Sequence, residues 1–206
     1  MKPLKQWVVL FALMMAGCGM ADSDQDERDR TIYVRFSDKR FEEVCLKQYD
    51  TNRDGRLSRY EARRVYHLDC PDAGIESLWD VREFENIITL NCRGNRLTDL
   101  DLRKCSYLRS VDCRDNQIGV LQIDGLHGLN ELYCSRNILT ALEFERNVSL
   151  RTLEAESNRF NTLDVSGCYH WMNINLRNNP TLTVLYVGRE QQINHKLDGQ
   201  TEIVVL

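Results

Sequence analysis

The sequence predicts a repeat solenoid: a coil of short parallel strands, closed at its start by a small helical unit. Three observations predict it. Ile87, Leu108, Leu129, Leu150 and Trp171 follow one another at a constant step of 21 residues. Two further columns keep the same step: Leu90, Val111, Leu132, Leu153 and Ile174, then Cys92, Cys113, Cys134, Ala155 and Leu176. An asparagine also recurs once per step, as Asn95, Asn116, Asn137, Asn158 and Asn179. A solvated asparagine needs no fixed spacing, so this column marks a position the backbone requires. Self-similarity of this kind belongs to arrays whose units bury their apolar faces against one another.

Within each step, apolar residues at places one, four and six suit a short strand that sends alternate side chains inward. Successive strands then pair in parallel, about 4.8 Å apart. The asparagine falls where the chain bends out of the strand, where its amide can satisfy backbone groups the strand leaves open. The second half of each step alternates with period two: Leu100-Asp101-Leu102, Leu121-Gln122-Ile123, Leu142-Glu143-Phe144 and Leu163-Asp164-Val165. This predicts an extended segment on the convex side of each turn and excludes a helix there. The pattern L-x-x-L-x-C-x-x-N-x-L resembles the leucine-rich repeat, which implies a solenoid of about six turns. Thiols stacked at Cys92, Cys113 and Cys134 have Cβ atoms roughly 5 Å apart, too far for a bridge, and read as small core residues.

The chain begins with Lys2 and Lys5, an apolar run from Trp7 to Ala16, and Ala16-Gly17-Cys18. A charged start, a short apolar run and small residues describe a secretory signal over residues 1–17. The run is too short for a permanent span. Its end resembles a bacterial lipobox, which implies that Cys18 is lipidated and anchors the protein to a membrane. Residues 18–30 carry Asp22, Asp24, Asp26, Glu27 and Asp29 and read as a solvated acidic tether.

Residues 31–64 form a helical cap. Ser37 or Asp38 starts a helix, and Phe41, Val44, Cys45 and Tyr49 give it a buried stripe. The next twelve residues match an EF-hand loop. Asp50, Asn52 and Asp54 would offer side-chain oxygens to calcium, Arg56 its carbonyl, and Ser58 an oxygen directly or through water. Glu61 would close the shell, Gly55 permits the sharp turn, and Leu57 faces inward. Arg53, Arg56 and Arg59 oppose a cation, so the expected affinity is weak, about 10⁻⁴–10⁻³ M. Val65, Leu68 and Cys70 precede Ile87, Leu90 and Cys92 by 22 residues, which makes Val65–Asn86 an enlarged first turn. Ala73 stands there in the asparagine place.

The solenoid spans residues 65–187. Leu182-Thr183-Val184-Leu185 repeats the strand pattern after only 11 residues, and residues 188–206 form a C-terminal cap. Ile193, the Asp198-Gly199 turn and Ile203–Leu206 suggest a closing hairpin. Together, the lipobox, the single loop and the asparagine repeats resemble leucine-rich-repeat lipoproteins of Bacteroidota. The resemblance implies an outer-membrane protein on the cell surface or facing the periplasm, and implies no activity.

The four histidines, His67, His127, His170 and His195, join no catalytic motif, so an enzyme is not expected. A formal net charge of −4 without a basic stripe excludes the usual nucleic-acid binder. Asn147-Val148-Ser149 fits a glycosylation sequon, which carries little meaning in a bacterium. What remains is the outward strand face. Asn91, Asp112, Glu131, Tyr133, Glu154 and Asn175 lie on it, with Arg93 and Arg114 at strand ends. Extended solenoid faces bind protein or glycan partners. The alternative is a structural envelope protein without a specific ligand.

Overall fold

The computed structural model describes residues 25–144, 149–168 and 171–206, with Trp171 described by its backbone alone. The signal segment, Cys18, His170 and the residues Asn147 and Val148 lie outside the described residues. Residues 25–29 are helical, and two helices follow before the strands, α1 (Lys39–Tyr49) and α2 (Arg59–Ala62). The strands follow as β1 (His67–Asp69), β2 (Thr89–Asn91), β3 (Asp99–Asp101), β4 (Ser110–Asp112), β5 (Val120–Gln122) and β6 (Glu131–Tyr133). They continue as β7 (Thr152–Glu154), β8 (Thr162–Asp164), β9 (Trp171–Asn175), β10 (Val184–Val187), β11 (Gln192–Lys196) and β12 (Glu202–Val205).

Seven strands form one parallel sheet in the order β1-β2-β4-β6-β7-β9-β11. The register repeats the sequence period: Leu68 lies beside Leu90, Leu90 beside Val111, Val111 beside Leu132, and Leu132 beside Leu153. These middle residues point into a continuous core with Ile87, Leu108, Leu129 and Leu150, all at most 1% exposed. The protein is a leucine-rich-repeat-type solenoid of about six turns. On the opposite side, β3 pairs with β5, and β8, β10 and β12 form a second short sheet. The expected extended segment is therefore present on that side. Two turns are exceptions: the first carries a 3-10 helix at Trp79–Glu83, and in a later one Leu142 and Phe144 are buried, yet residues 141–143 pair with neither neighbour. A depression of ≈ 340 Å³ lies between them and β5.

Each asparagine of the column stitches two turns together. Asn116 Nδ2 donates to the carbonyls of Cys113 and Arg114 in its own turn and of Cys92 in the turn before. Its Oδ1 accepts from Leu97 N. Asn95, Asn137 and Asn158 repeat this, with Oδ1 accepting from Ile75 N, Ile118 N and Leu139 N. The amide of Asn179 makes the same three donations, while its Oδ1 is buried without a partner. The amide sits just after a sharp bend, which the first turn also makes before Ala73. The preceding residue is left-handed in every turn: Asp72 (φ 51°), Gly94 (70°), Asp115 (57°), Arg136 (57°), Ser157 (59°) and Asn178 (57°). Such a conformation costs a non-glycine residue roughly 1–2 kcal/mol. Several buried amide bonds, each worth about 1 kcal/mol net, offset that cost.

The cysteines of the described residues are free thiols, and all but Cys168 are buried. Burial pushes Cys113 up to about 12 and lifts Cys92 and Cys134 well above the usual thiol range. They behave as packing groups, as the column predicted.

The cap covers the free edge of β1. Asp38 caps α1 through Arg40 N and Phe41 N, and its other oxygen accepts from Glu76 N and Ser77 N in the first turn. Tyr49 Oη donates to His67 O and accepts from Asp69 N, and Gln48 Nε2 donates to Asp69 O. These side chains satisfy backbone groups that a preceding strand would otherwise hold. Phe41 and Cys45 complete the seal at 0% exposure.

Three expectations are corrected. The acidic stretch is not wholly a solvated tether: Asp29, 1% exposed, pairs with Arg63, and Asp26 pairs with Arg64 at 3.2 Å. Leu182–Val187 is not an early repeat of the long-sheet strand. Its β10 belongs to the opposite side, where Leu185 sits beside Leu163. The C-terminal hairpin is also absent, because β11 and β12 pair in parallel with β9 and β10 in different sheets. Gln192 stands beside Trp171, so the 21-residue step continues. The step is hidden in sequence because the side chains of β11 are mostly exposed and need not be apolar.

Removing one rung of the asparagine column tests its weight. Asn137→Ala leaves Ile118 N and the carbonyls of Cys113 and Cys134 without this partner. It should cost roughly 2–4 kcal/mol in urea unfolding. Asn194→Ala, at an exposed site, should stay within about 0.5 kcal/mol.

Candidate functional site

The solvent side of the long sheet follows from period two. With Leu90, Val111, Leu132 and Leu153 inward, their flanking residues must point outward. Register brings Asn91, Asp112, Tyr133, Glu154 and Asn175 into one row across five strands. A second row contains His67, Thr89, Ser110, Glu131, Thr152, Asn173 and Asn194. Short polar links join neighbours within it: His67 Nδ1 to Thr89 Oγ1 (2.8 Å), Ser110 Oγ to Glu131 (3.0 Å) and Asn194 to Asn173 (3.1 Å).

The first row borders a depression of ≈ 300 Å³ lined by Arg93, Arg114, Asp115, Tyr133, Ser135, Arg136, Glu154 and Glu156. Its charges are arranged, not scattered. Arg114 makes two bonds to Asp112, at 2.9 and 2.5 Å, and its guanidinium lies 5.3 Å from the Tyr133 ring. Asp115 accepts from Arg93 at 2.8 Å and from Arg136 at 3.0 Å. Burial opposes the charge of Asp115, but the two guanidiniums outweigh it and hold the carboxyl below its ordinary range. Burial and the nearby Glu131 push the Tyr133 phenol upward, so it stays neutral at physiological pH. Glu154 and Glu156 share the amide of Asn175, at 2.9 and 3.1 Å, and Glu156 also accepts from Asn178 at 2.9 Å. Among the described residues, no cationic side chain forms a salt bridge with either glutamate.

Sequence reasoning placed Asn91, Arg93, Asp112, Arg114, Glu131, Tyr133, Glu154 and Asn175 on this face, and the structure gathers all but Asn91 and Glu131 in or beside the depression. It missed Asp115 and Arg136 as parts of the site. Both sit in the left-handed column just after the strand, where alternation no longer tells the direction of a side chain. The signal available was their place, one residue before each asparagine.

The candidate metal loop lies at the other end, in the cap. Asp50 accepts from Arg53 N and Gly55 N, Asn52 from Asp54 N, and Asp54 from Arg56 N. Each such oxygen keeps a second lone pair. Glu61 is bound differently. Oε1 accepts from Thr51 N, Thr51 Oγ1 and Asn52 N, and Oε2 from Ser58 N and Ser58 Oγ, with Glu61 5% exposed. No three His, Cys, Asp or Glu side chains converge as a metal-holding group among the described residues. The loop's side-chain oxygens accept from backbone N–H groups of the loop itself, and Glu61 would have to exchange its donors to close a shell around a cation. An extended segment lies against the loop: Tyr33 bridges Ser58 in antiparallel fashion, Val34 N donates to Leu57 O, and Arg59 N to Ile32 O. A single loop is thus braced from within its own chain.

No family model matches the chain, and no curated protein matches it. Solved structures do. The functional domain of InlJ from Listeria monocytogenes, described as including a cysteine ladder, is 24% identical with a TM-score of 0.56. That likeness covers 69% of this chain and 34% of the InlJ chain, so this protein spans about a third of its length. An internalin, InlF, from the same organism is 15% identical with a TM-score of 0.52, covering 82% of this chain and 68% of its own. Both likenesses concern the fold.

The cap carries a pH dependence. At Asp38 and Glu61 burial opposes ionisation, but hydrogen bonds from Glu76, Ser77, Phe41 and Arg40, and from Ser58 and Thr51, outweigh it and lower both carboxyls. A carboxyl lowered in the folded state contributes stability above its unfolded value, and that contribution fades as pH falls through the folded value. The amides of Thr51, Ser58, Glu76 and Ser77 should lose exchange protection as pH drops below about 4, the ordinary carboxylate range. Central-turn amides should keep theirs. Uniform loss across the chain would refute a local origin.

Proposed function

We propose that this chain is a lipid-anchored envelope protein, exposed at the cell surface, that binds a protein partner through the solvent side of the long sheet. The observation that carries the reading is the depression around Tyr133, where charged residues of four successive turns converge on one aromatic ring. Tyr133 and Glu154 stand on strands and the other lining residues on the bends just after them, which the asparagine column holds, so little ordering cost is added on binding. The fold shared with internalin structures is consistent with a binding scaffold. A glycan is the second reading. It is less favoured because the depression offers one ring for stacking, whereas its opposed charges match a protein surface.

The test is a triple change, Asp112→Ala, Tyr133→Ala and Glu154→Ala, in a soluble form starting near Asp22. Capture of a partner from the native envelope, followed by crosslinking to this face, should fall at least tenfold with the thermal midpoint nearly unchanged. Capture that survives this change but fails on altering Val120 and Gln122 would move the binding surface to the opposite side. Loss of no interaction by either set would favour a structural envelope role.

The lipid anchor rests on the resemblance of Met15-Ala16-Gly17-Cys18 to a lipobox. Cys18→Ser should move the protein from the membrane fraction to the soluble one and end labelling by a fatty-acid analogue. Persistent labelling would remove the anchor from the proposal.

A calcium ion in the cap is supported by the donor set Asp50, Asn52, Asp54, Arg56, Ser58 and Glu61 and by the turns that orient its first half. With calcium at 1 mM and a constant near 10⁻⁴ M, linkage adds about 1.4 kcal/mol. Calcium should therefore raise the melting midpoint by a few degrees over chelator. Asp54→Asn, which keeps the acceptor for Arg56 N, should lose the rise. Identical melting in calcium and chelator would make the loop a turn closed by Glu61 alone.

A further inference from the structure

The depression beside Tyr133 has two electrical ends. At one end two guanidiniums, Arg93 and Arg136, share the single carboxylate of Asp115. Arg114 does not alter that count, because Asp112 takes up its charge. One positive charge is left over. At the other end Glu154 and Glu156 are held by the neutral amides of Asn175 and Asn178. Two negative charges are left over. Asp115 follows β4 and Glu156 follows β7, which is two turns away, or roughly 10 Å at the spacing of paired strands. The Tyr133 ring lies between them, with Asp112 on one side and Glu154 on the other in the same row.

We infer that the depression selects an extended segment of the protein partner that carries a basic and an acidic side chain. The basic group meets Glu154 and Glu156, and the acidic group meets Arg93 and Arg136. The inference rests on the binding reading above and gives its partner a chemistry. Geometry sets the spacing: an extended chain advances about 3.3–3.6 Å per residue, so the two groups stand about two to four residues apart. Polarity follows as well, since only one direction of the segment along the coil puts each charge over its opposite. A purely basic segment would gain at the glutamates and be repelled at the arginines, and a purely acidic one the reverse. Tyr133 supplies apolar contact for the residues between, and its neutral phenol adds no charge to either end.

The probe is a displayed library of random dodecamer peptides selected on the soluble protein. Three proteins are compared: the native sequence, Glu154→Gln with Glu156→Gln, and Arg93→Gln with Arg136→Gln. Gln keeps the size of each glutamate and one acceptor oxygen while removing the charge. Peptides enriched on the native protein should pair Lys or Arg with Asp or Glu two to four residues apart, in one preferred order. Their binding should fall at least tenfold on both variants and weaken steeply between 50 and 300 mM salt, the tenfold loss being a modest share of what close charge pairs contribute. The glutamate variant should relax the demand for the base, and the arginine variant the demand for the acid. Enrichment without paired charges, equal binding to all three proteins, or no enrichment on the native protein over the variants would each overturn the inference. The native partner separates this failure from failure of the binding reading. If it still crosslinks to the long sheet and is lost only on the Tyr133 triple change, the surface stands and its bipolar selectivity falls.

Discussion

The structure depends on the buried asparagine amide. A parallel-strand coil must turn the chain out of each strand, and at that corner backbone groups leave the ladder. Water cannot reach them, because the column is 0–9% exposed. One amide per turn solves the problem by donating to three carbonyls and accepting one N–H, across two turns at once. The residue before it is left-handed, and the first turn makes the same bend at Asp72 before Ala73, so the bend belongs to the coil and the amide fills it. A shorter side chain does not reach, and an aspartate has no donors to give. Stability in such an array passes from neighbour to neighbour, so each amide is both a local corner brace and a link between turns.

The two ends of the coil meet the resulting edge problem differently. At the start, the cap offers Tyr49 and Gln48 to the β1 backbone and Asp38 to the opposite side of the first turn. The loop between the cap helices is itself closed by Glu61, whose carboxylate gathers donors from both ends of the loop. Protonating Glu61 would release those donors, whereas the central turns are held by uncharged amides. At the far end β11 and β12 extend both sheets with mostly exposed side chains. Apolar Val205 and Leu206 are more than half exposed there.

The solvent face of the long sheet inherits its order from the same constraint. Strands fix the rows, and the left-handed column fixes where the charges just beyond the strands point. Asp115 and Arg136 reach the Tyr133 depression because the bend that serves the asparagine swings them to the same edge. A corner required by backbone hydrogen bonding thereby becomes part of a polar surface. The ion pairs there are exposed, so they add little to stability and stay available to a partner.

The sequence by itself determined the period, the inward and outward columns, the row from Asn91 to Asn175, the free thiols and the extended second half of most turns. All of these follow from local alternation repeated at one step, which a side chain obeys wherever its turn lies. Tertiary structure alone decided the rest. It assigned the previous-turn carbonyls to each asparagine and left residues 141–143 unpaired. It docked Asp26 and Asp29 on Arg64 and Arg63, and it carried β11 and β12 onward in parallel. These outcomes depend on which groups stand across a gap of one strand spacing. Spacing along the chain records the step but not the partner, because hydrogen bonds and charge pairs between turns are set by distance in space.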